Sequence, residues 1–475
     1  MLDLTLDDIA RIIGGTLVLG DHAVELGVSE STIVGGAVDT DSREIVPGGI
    51  FVAKPGEFSD GHLYVPAAIE SGAELVIVER VLDDLTVPQI VVADSVQALG
   101  DLATEVVRRI RELGLLKVVG ITGSNGKTTT KNLVRTILER RGPTIAPRDS
   151  FNNEVGAPLT MLKLEADTKY LVAEMGASKP GEITRLVRMA RPDVGVVLMV
   201  GLAHAGEFGG IEKTLQTKTE MVTDLLPTDV AVLNIDDYRV AGMAEKTRAS
   251  VLWFGLDARA DVRASALQST PTGTTFTLSL PTGQSRQVNF GVLGEHHVMN
   301  ALAAAAVAHT LEVPLDDIVE ALESVTRAEH WRMEVLPGTQ GITIINDAYN
   351  ASPDSMLAGL KTLAQISGEG IRRVAVLGEM SELGEFSLEE HDRIGRTIVR
   401  LGIERIFVVG EGARALHLAA THEGSWDGES AFFDTADEAY AVLEGELRSG
   451  DVVLVKSSNS AGLRFLGDRL GERFA

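Results

Sequence analysis

Gly123, Ser124, Asn125, Gly126, Lys127 and Thr128 stand between the apolar run KVVGIT and the helical pattern TTTKNLVRTILERRG. A glycine-rich turn in that context lets backbone amides converge on phosphate oxygens, and the helix start adds positive potential. Lys127 supplies a mobile cation, and Thr128 a hydroxyl for Mg²⁺. The strict phosphate-loop spacing has glycine at the position held here by Ile121, so the loop is a variant one. Glu174 ends the apolar run LVAEM, His204 follows GVVLMV, and Lys218 lies fourteen residues beyond it. A carboxylate and a neutral imidazole near phosphates can hold Mg²⁺, although imidazole is an unusual partner for so hard a cation. By residue type alone, His204 also fits a structural role, and Lys218 a surface lysine paired with Glu220.

These residues need a scaffold. The chain has 475 residues, length for about three domains. Residues 1–113 read as mixed α/β, with strands in LVIVE (75–79) and IVVAD (90–94) and a helix over 95–112 that stops at Gly114. Over 114–327, KVVGIT, LVAEM, GVVLMV and VAVLNID alternate with helical stretches. That predicts a parallel sheet covered on both faces, followed by a hairpin over 274–290 and an Ala-rich helix. In 328–475, ITIINDAY, RRVAVLGEM, RIFVVGEG and DVVLVKSSN are strands ending in polar or glycine-rich residues, where open α/β sheets bind ligands. The expected fold class is thus α/β in three units. They are a mixed α/β substrate domain, a central phosphate-loop parallel-sheet domain and a C-terminal Rossmann-like domain.

Composition excludes several classes. A net charge of −25 repels nucleic acid and anionic membranes, so bound phosphates need a local nest, placed cations or Mg²⁺. No cysteine is present, so a metal must sit on oxygen or imidazole. No apolar run reaches the roughly 20 residues of a membrane helix, and no signal peptide opens the chain. A cytoplasmic protein without membrane insertion is expected.

GITGSNGKTTT resembles the ATP loop of the Mur ligases and of the related folylpolyglutamate synthetases, and further matches run through all three units. The resemblance implies ATP bound by residues 123–129, including Thr129, with two Mg²⁺ ions. It makes Glu174 and His204 metal ligands along with Thr128, and Lys218 a lysine carbamylated by CO₂, a reaction of the neutral amine that burial favours. GEHHVMNALAAAA resembles the family's adenine-reading segment and gives that role to Asn300, whose amide donates and accepts together. HWRMEVL and NDAYNASPDSM resemble the start of the family's third domain. They imply Arg332 against phosphate, Asp347 against the ribose or the arginine, and Tyr349 and Asn350 on the same turn.

The stretch VDTDSREIVPGGIFVAKPGEFSDGHLY resembles a UDP-binding domain of the family, implying substrate contacts from Ser42, Arg43, Asp60, Gly61 and His62. SFNNEVGAPLTML, with Asn152 and Asn153, and VLGEMSELGEFSLEEHDRIG resemble the branch that adds a dipeptide, whereas the diamino-acid motif D-N-P-R is absent. The implied activity joins D-alanyl-D-alanine to UDP-N-acetylmuramoyl-tripeptide through an acyl phosphate, by a monomer serving peptidoglycan synthesis. Lys127, His204 and Lys218 would carry the chemistry. A sister ligase adding a diamino acid, a folylpolyglutamate synthetase and a phosphate-loop ATPase switch are the alternatives.

Overall fold

Three large sheets arise from three stretches of the chain, beside a two-stranded pairing of Leu4–Thr5 with Ile33–Val34. The computed structural model describes residues 2–475 apart from 57, 58, 149, 202–209, 271, 272, 327, 328, 367, 369 and 425–428. Thr16–Val18, Gln89–Val91, Ala73–Val78, Gly49–Val52 and Val38–Asp39 lie side by side in the first sheet. The central sheet has nine strands, in the order Ser285–Phe290, Gly273–Ser279, Val262–Thr270, Ser250–Gly255, Val230–Asn234, Val194–Val197, Lys117–Thr122, Tyr170–Glu174 and Thr144–Ile145. From Val262–Thr270 to the far edge all neighbours are parallel, while the two strands beyond it pair antiparallel.

Lys117–Thr122 is the strand where the order reverses. The chain continues first to the edge and Tyr170–Glu174 on one side, then crosses to Val194–Val197 on the other. Loops diverging at such a point leave a crevice at the carboxyl ends of the strands. The alternation of a buried strand sends Val118 and Val119 into two different cores, one on each face of the sheet. Lys127–Glu139 and the Ala-rich Glu295–Thr310 pack together on one face, and Ile211–Thr223 and Glu182–Ala190 cover the other. Residues 301–308 are buried throughout, as an all-apolar helix must be. Ser95–Glu112 packs on Gly156–Met161 and Glu182–Ala190, so one core runs from the first sheet into the central unit.

The third sheet runs Glu334–Pro337, Thr343–Asn346, Asp451–Lys456, Arg372–Leu377, Arg405–Val409 and Ser430–Phe433, parallel except for the first strand. The sequence expectation lacks five of these central and C-terminal strands: Thr144–Ile145, an edge strand of two residues too short to show a pattern, and four others, each with a reason. Glu334–Pro337 ends in proline at a sheet edge. Ser430–Phe433 is a four-residue edge strand. Val262–Thr270 loses its alternation at a register shift between Ser265 and Gln268, with Ala266 at φ 54°. Ser250–Gly255 follows a polar 3-10 turn and begins exposed. Among the described residues no helix is long and apolar enough to cross a membrane.

Candidate active site

The crevice at the strand reversal holds a cavity of about 580 Å³. The phosphate-loop residues 123–129 line it, together with Asn152, Asn153, Glu174, Lys218, Asn300, Arg332, Asp347, Tyr349 and Asn350. Residues more than two hundred positions apart thus share one space. Among the described lining residues, Lys127, Arg185, Arg332 and Lys456 bring positive charge into a chain whose net charge is −25.

The loop's conformation follows from its glycines. Gly126 caps Lys127–Glu139 at φ 85°, and a Cβ there would lie 2.4 Å from Asn300 Oδ1. Both facts demand glycine. Gly126→Ala is therefore expected to lower stability by about 1–2 kcal/mol through the left-handed backbone alone. It should also displace Asn300, weakening ATP binding at least about tenfold for a lost 1.4 kcal/mol. Thermal unfolding and nucleotide titration measure the two effects separately. Lys127 Nζ donates to the Gly123 carbonyl at 2.8 Å and to that of Ser124 at 3.3 Å, so the cation is folded over its own loop. Burial pushes its pKa below the ordinary value, with the Glu174 charge opposing and Arg332 reinforcing the shift.

Glu174 is buried at the end of its strand. Asn152 Nδ2 donates to its Oε1 at 2.8 Å, while its Oε2 is buried without a hydrogen-bond partner. An unpaired buried carboxylate oxygen is costly unless a cation completes it. Thr128 Oγ1 lies 3.2 Å from Ser150 Oγ, both on the cavity wall. This oxygen donor set fits Mg²⁺. His204 lies outside the described residues.

Lys218 is 3% exposed, on Ile211–Thr223. Burial first, and then the charge of Lys127, lower its pKa from 10.5 to about 7. The charges of Glu220 and Glu182 oppose that shift, and Glu220 accepts the N–H groups of Gly181 at 2.7 Å and Thr184 at 3.0 Å, capping the neighbouring helix. The surface reading of Lys218 thus gives way to a buried amine on the cavity wall.

Across the cavity, Arg332 stacks on Tyr349 with its Cζ 4.3 Å from the ring centroid. Asp347 does not pair with that arginine. The register of Thr343–Asn346 on Asp451–Lys456 sets it beside Lys456, whose Nζ donates to Asp347 Oδ2 at 2.7 Å, and its Oδ1 accepts Met333 N–H. Asn125 Nδ2 reaches Ser352 Oγ at 3.2 Å, bridging the phosphate loop and the third unit. Asn153 Oδ1 accepts the N–H groups of Val155 at 3.2 Å and Gly156 at 2.9 Å, where Gly156–Met161 begins.

Ser42, Arg43, Asp60, Gly61 and His62 do not line this cavity. Arg43 is exposed and paired with Asp41. The buried His62 accepts the Glu79 N–H on Nε2 at 2.8 Å, so its proton sits on Nδ1 and goes to Asp60 Oδ1 at 2.6 Å. Both ring nitrogens serve the fold, and Arg80 takes Asp60 Oδ2. His296, His297 and Lys456 line the cavity without having been singled out from the sequence. The two histidines stand four and three residues before Asn300 on one helix, spacing that places them on its face. Burial holds His296 down at about 4 and His297 well below the ordinary range, so both are neutral. His297 Nδ1 is buried without a partner.

Comparison with known proteins agrees with this architecture. Residues 36–106 match the family description "Mur ligase family, catalytic domain", 121–308 "Mur ligase middle domain" and 331–459 "Mur ligase, glutamate ligase domain". The UDP-N-acetylmuramoyl-tripeptide--D-alanyl-D-alanine ligase of Mycobacterium leprae is 40% identical, over 99% of this chain and 98% of that protein. The Escherichia coli enzyme of the same name is 32% identical over 98% and 97%. The crystal structure of MurF from Acinetobacter baumannii superposes with a TM-score of 0.87 at 33% identity, covering 99% of both chains. MurF from Thermotoga maritima in complex with ADP gives 0.82 at 27% identity, over 93% and 98%. The chain belongs to the Mur ligase family.

Proposed function

We propose that this protein joins D-alanyl-D-alanine to UDP-N-acetylmuramoyl-tripeptide, converting ATP to ADP and phosphate. The observation that carries the reading is the convergence on one cavity of the phosphate loop, the half-paired Glu174, the buried amine of Lys218 and, from the third unit, Arg332. The named activity of relatives that match nearly end to end supplies the substrates, and the Thermotoga structure with ADP supports ATP in the loop.

In the first step, an oxygen of the tripeptide's terminal carboxylate attacks the γ-phosphorus, the bond to the β-phosphate oxygen breaks, and ADP departs. The loop amides and Lys127 hold the phosphates while that charge moves. In the second step, the dipeptide's amino nitrogen attacks the acyl carbon, phosphate leaves with the carbon–oxygen electron pair, and the amine proton goes to the phosphate. Bringing two anions and an amine into line is the chain's main contribution. Arg332 presents its guanidinium from the third unit, which shields the acyl phosphate from water as it covers the cavity. Asn300, buried against Gly126, is the amide for the adenine edge.

Thr128, Glu174 and His204 are the residues that would hold Mg²⁺, which supplies charge neutralisation between phosphates and carboxylate. Lys218 at a pKa of about 7 is substantially neutral at physiological pH, and its amine can add CO₂ and release a proton to become a carbamate. On this reading residues 1–113 hold the UDP-linked substrate, 114–327 the nucleotide, and 328–475 the closing ligase domain.

The test is phosphate release with Mg²⁺ and bicarbonate over a substrate panel. Release that needs both the tripeptide and D-alanyl-D-alanine supports the reading. Release with a free diamino acid and the muramoyl dipeptide, or release indifferent to the tripeptide, rejects it. Glu174→Gln is expected to raise the Mg²⁺ concentration for half-maximal release by about tenfold or more, read by metal titration at saturating ATP.

A further inference from the structure

Arg332 sits in a turn that its own neighbours strain. Trp331 has φ 60° and Met333 φ 48°, so two bulky residues on either side of one arginine adopt the left-handed conformation. Side chains with a Cβ hold such a backbone only where surrounding contacts over-determine it. Three carboxylates do so here. Glu334 Oε2 accepts the Trp331 N–H at 3.0 Å, Asp347 Oδ1 accepts the Met333 N–H at 3.0 Å, and Asp468 accepts the Trp331 indole N–H at 2.9 Å on Oδ2 and 3.1 Å on Oδ1. Tyr349, the ring under the guanidinium, donates its N–H to the Trp331 carbonyl at 3.1 Å.

Asp468 stands apart from the other two. It lies on the final helix, Leu463–Phe474, and is absent from the cavity wall, whereas Arg332, Asp347 and Tyr349 line it. Its Oδ1 is itself fixed by Asn346 Nδ2 at 2.9 Å, at the end of a sheet strand. The indole is boxed further by His330, with ring centroids 4.1 Å apart, and by Phe465 edge-on at 6.2 Å. The arginine so presented is not saturated. Its Nε is buried, 3.2 Å from Glu329 Oε2 but outside hydrogen-bonding geometry.

We propose that Asp468 is a positioning residue for Arg332. Through the Trp331 indole it locks the strained turn and aims the guanidinium at the phosphates across the cavity. The inference rests on the ligase reading for what Arg332 meets, and on the turn's geometry for everything else.

The test is a double-mutant cycle read as kcat and as KM for each substrate. Asp468→Ala is expected to lower kcat by about tenfold or more, leaving KM for the UDP-linked tripeptide within about twofold. Asp468→Asn keeps an acceptor oxygen for the indole and should restore most of the rate. Trp331→Phe keeps the ring and loses the donor, and should reproduce Asp468→Ala. In the Arg332→Ala background, Asp468→Ala should cost nothing further, because the route through the arginine is already gone. Full additivity of the two losses, or an unchanged kcat in a folded Asp468→Ala protein, overturns the proposal. If the wild-type chain binds Mg·ADP yet forms no amide, the ligase reading fails by itself. The same cycle run on ADP dissociation constants then decides the role of Asp468, non-additivity supporting it and additivity rejecting it.

Discussion

Lys127→Ala is expected to lower phosphate release by about a thousandfold or more, with the KM for the tripeptide nearly unchanged. The ammonium is the one side-chain cation rooted in the phosphate loop itself, and two loop carbonyls already hold it in place. Nothing else on that turn can follow charge from the γ-phosphate to the leaving oxygen. Lys127→Arg should rescue little, because a planar guanidinium does not fit where a compact ammonium folds between the carbonyls of Gly123 and Ser124. A second effect identifies the cause. The Lys127 charge is one of the two influences that depress Lys218. Its removal should therefore raise the Lys218 pKa and move the acidic limb of any residual activity to higher pH. Steady-state kinetics with circular dichroism as a folding control measure both.

The parts of this site legible in the sequence are those whose spacing is local. The loop, its strand and its helix read directly because glycine, lysine and threonine have fixed offsets between two periodic segments, and Lys117–Thr122 has the expected bounds. Helix Ser95–Glu112 reads equally well, with an Asp94 cap at one end and Gly114 at φ 84° beyond the other. What spacing cannot give is which long-range partner a side chain takes. Asp347 points at Lys456, 109 positions away, because strand register brings them together. His62 reads as a substrate contact from a turn motif, yet its two nitrogens are spent on Asp60 and Glu79. The left-handed pair around Arg332 has no sequence signature at all, since neither tryptophan nor methionine favours that conformation. Sequence order also hides the crevice. It exists because Tyr170–Glu174 pairs on one side of Lys117–Thr122 and the next strand in sequence, Val194–Val197, on the other.

Lys218→Ala is expected to lose about a hundredfold or more of activity, an effect the size of losing one charged transition-state contact, and to regain a substantial part when a short-chain carboxylic acid is added. A small carboxylate can occupy the space of the missing side chain and supply the anion that the carbamate would provide. An ordinary lysine acting as a cation would gain nothing from it. The pH dependence separates the two accounts further. The amine titrates at about 7, far below its ordinary 10.5. Below that point it is protonated and cannot add CO₂, so wild-type activity at limiting bicarbonate should fall as pH drops through 7 and recover as bicarbonate rises. The acid-rescued variant should lack that limb. Stability carries the same signature. Between pH 7 and 10.5 the unfolded chain binds a proton at this lysine that the uncarbamylated native state does not. This group therefore makes stability rise with pH across that window. In CO₂-free buffer, Lys218→Ala or Lys218→Met should flatten that rise in thermal unfolding midpoints. If the slope is unchanged and no carboxylate restores turnover in a folded protein, Lys218 is neither a buried neutral amine nor the seat of a carbamate.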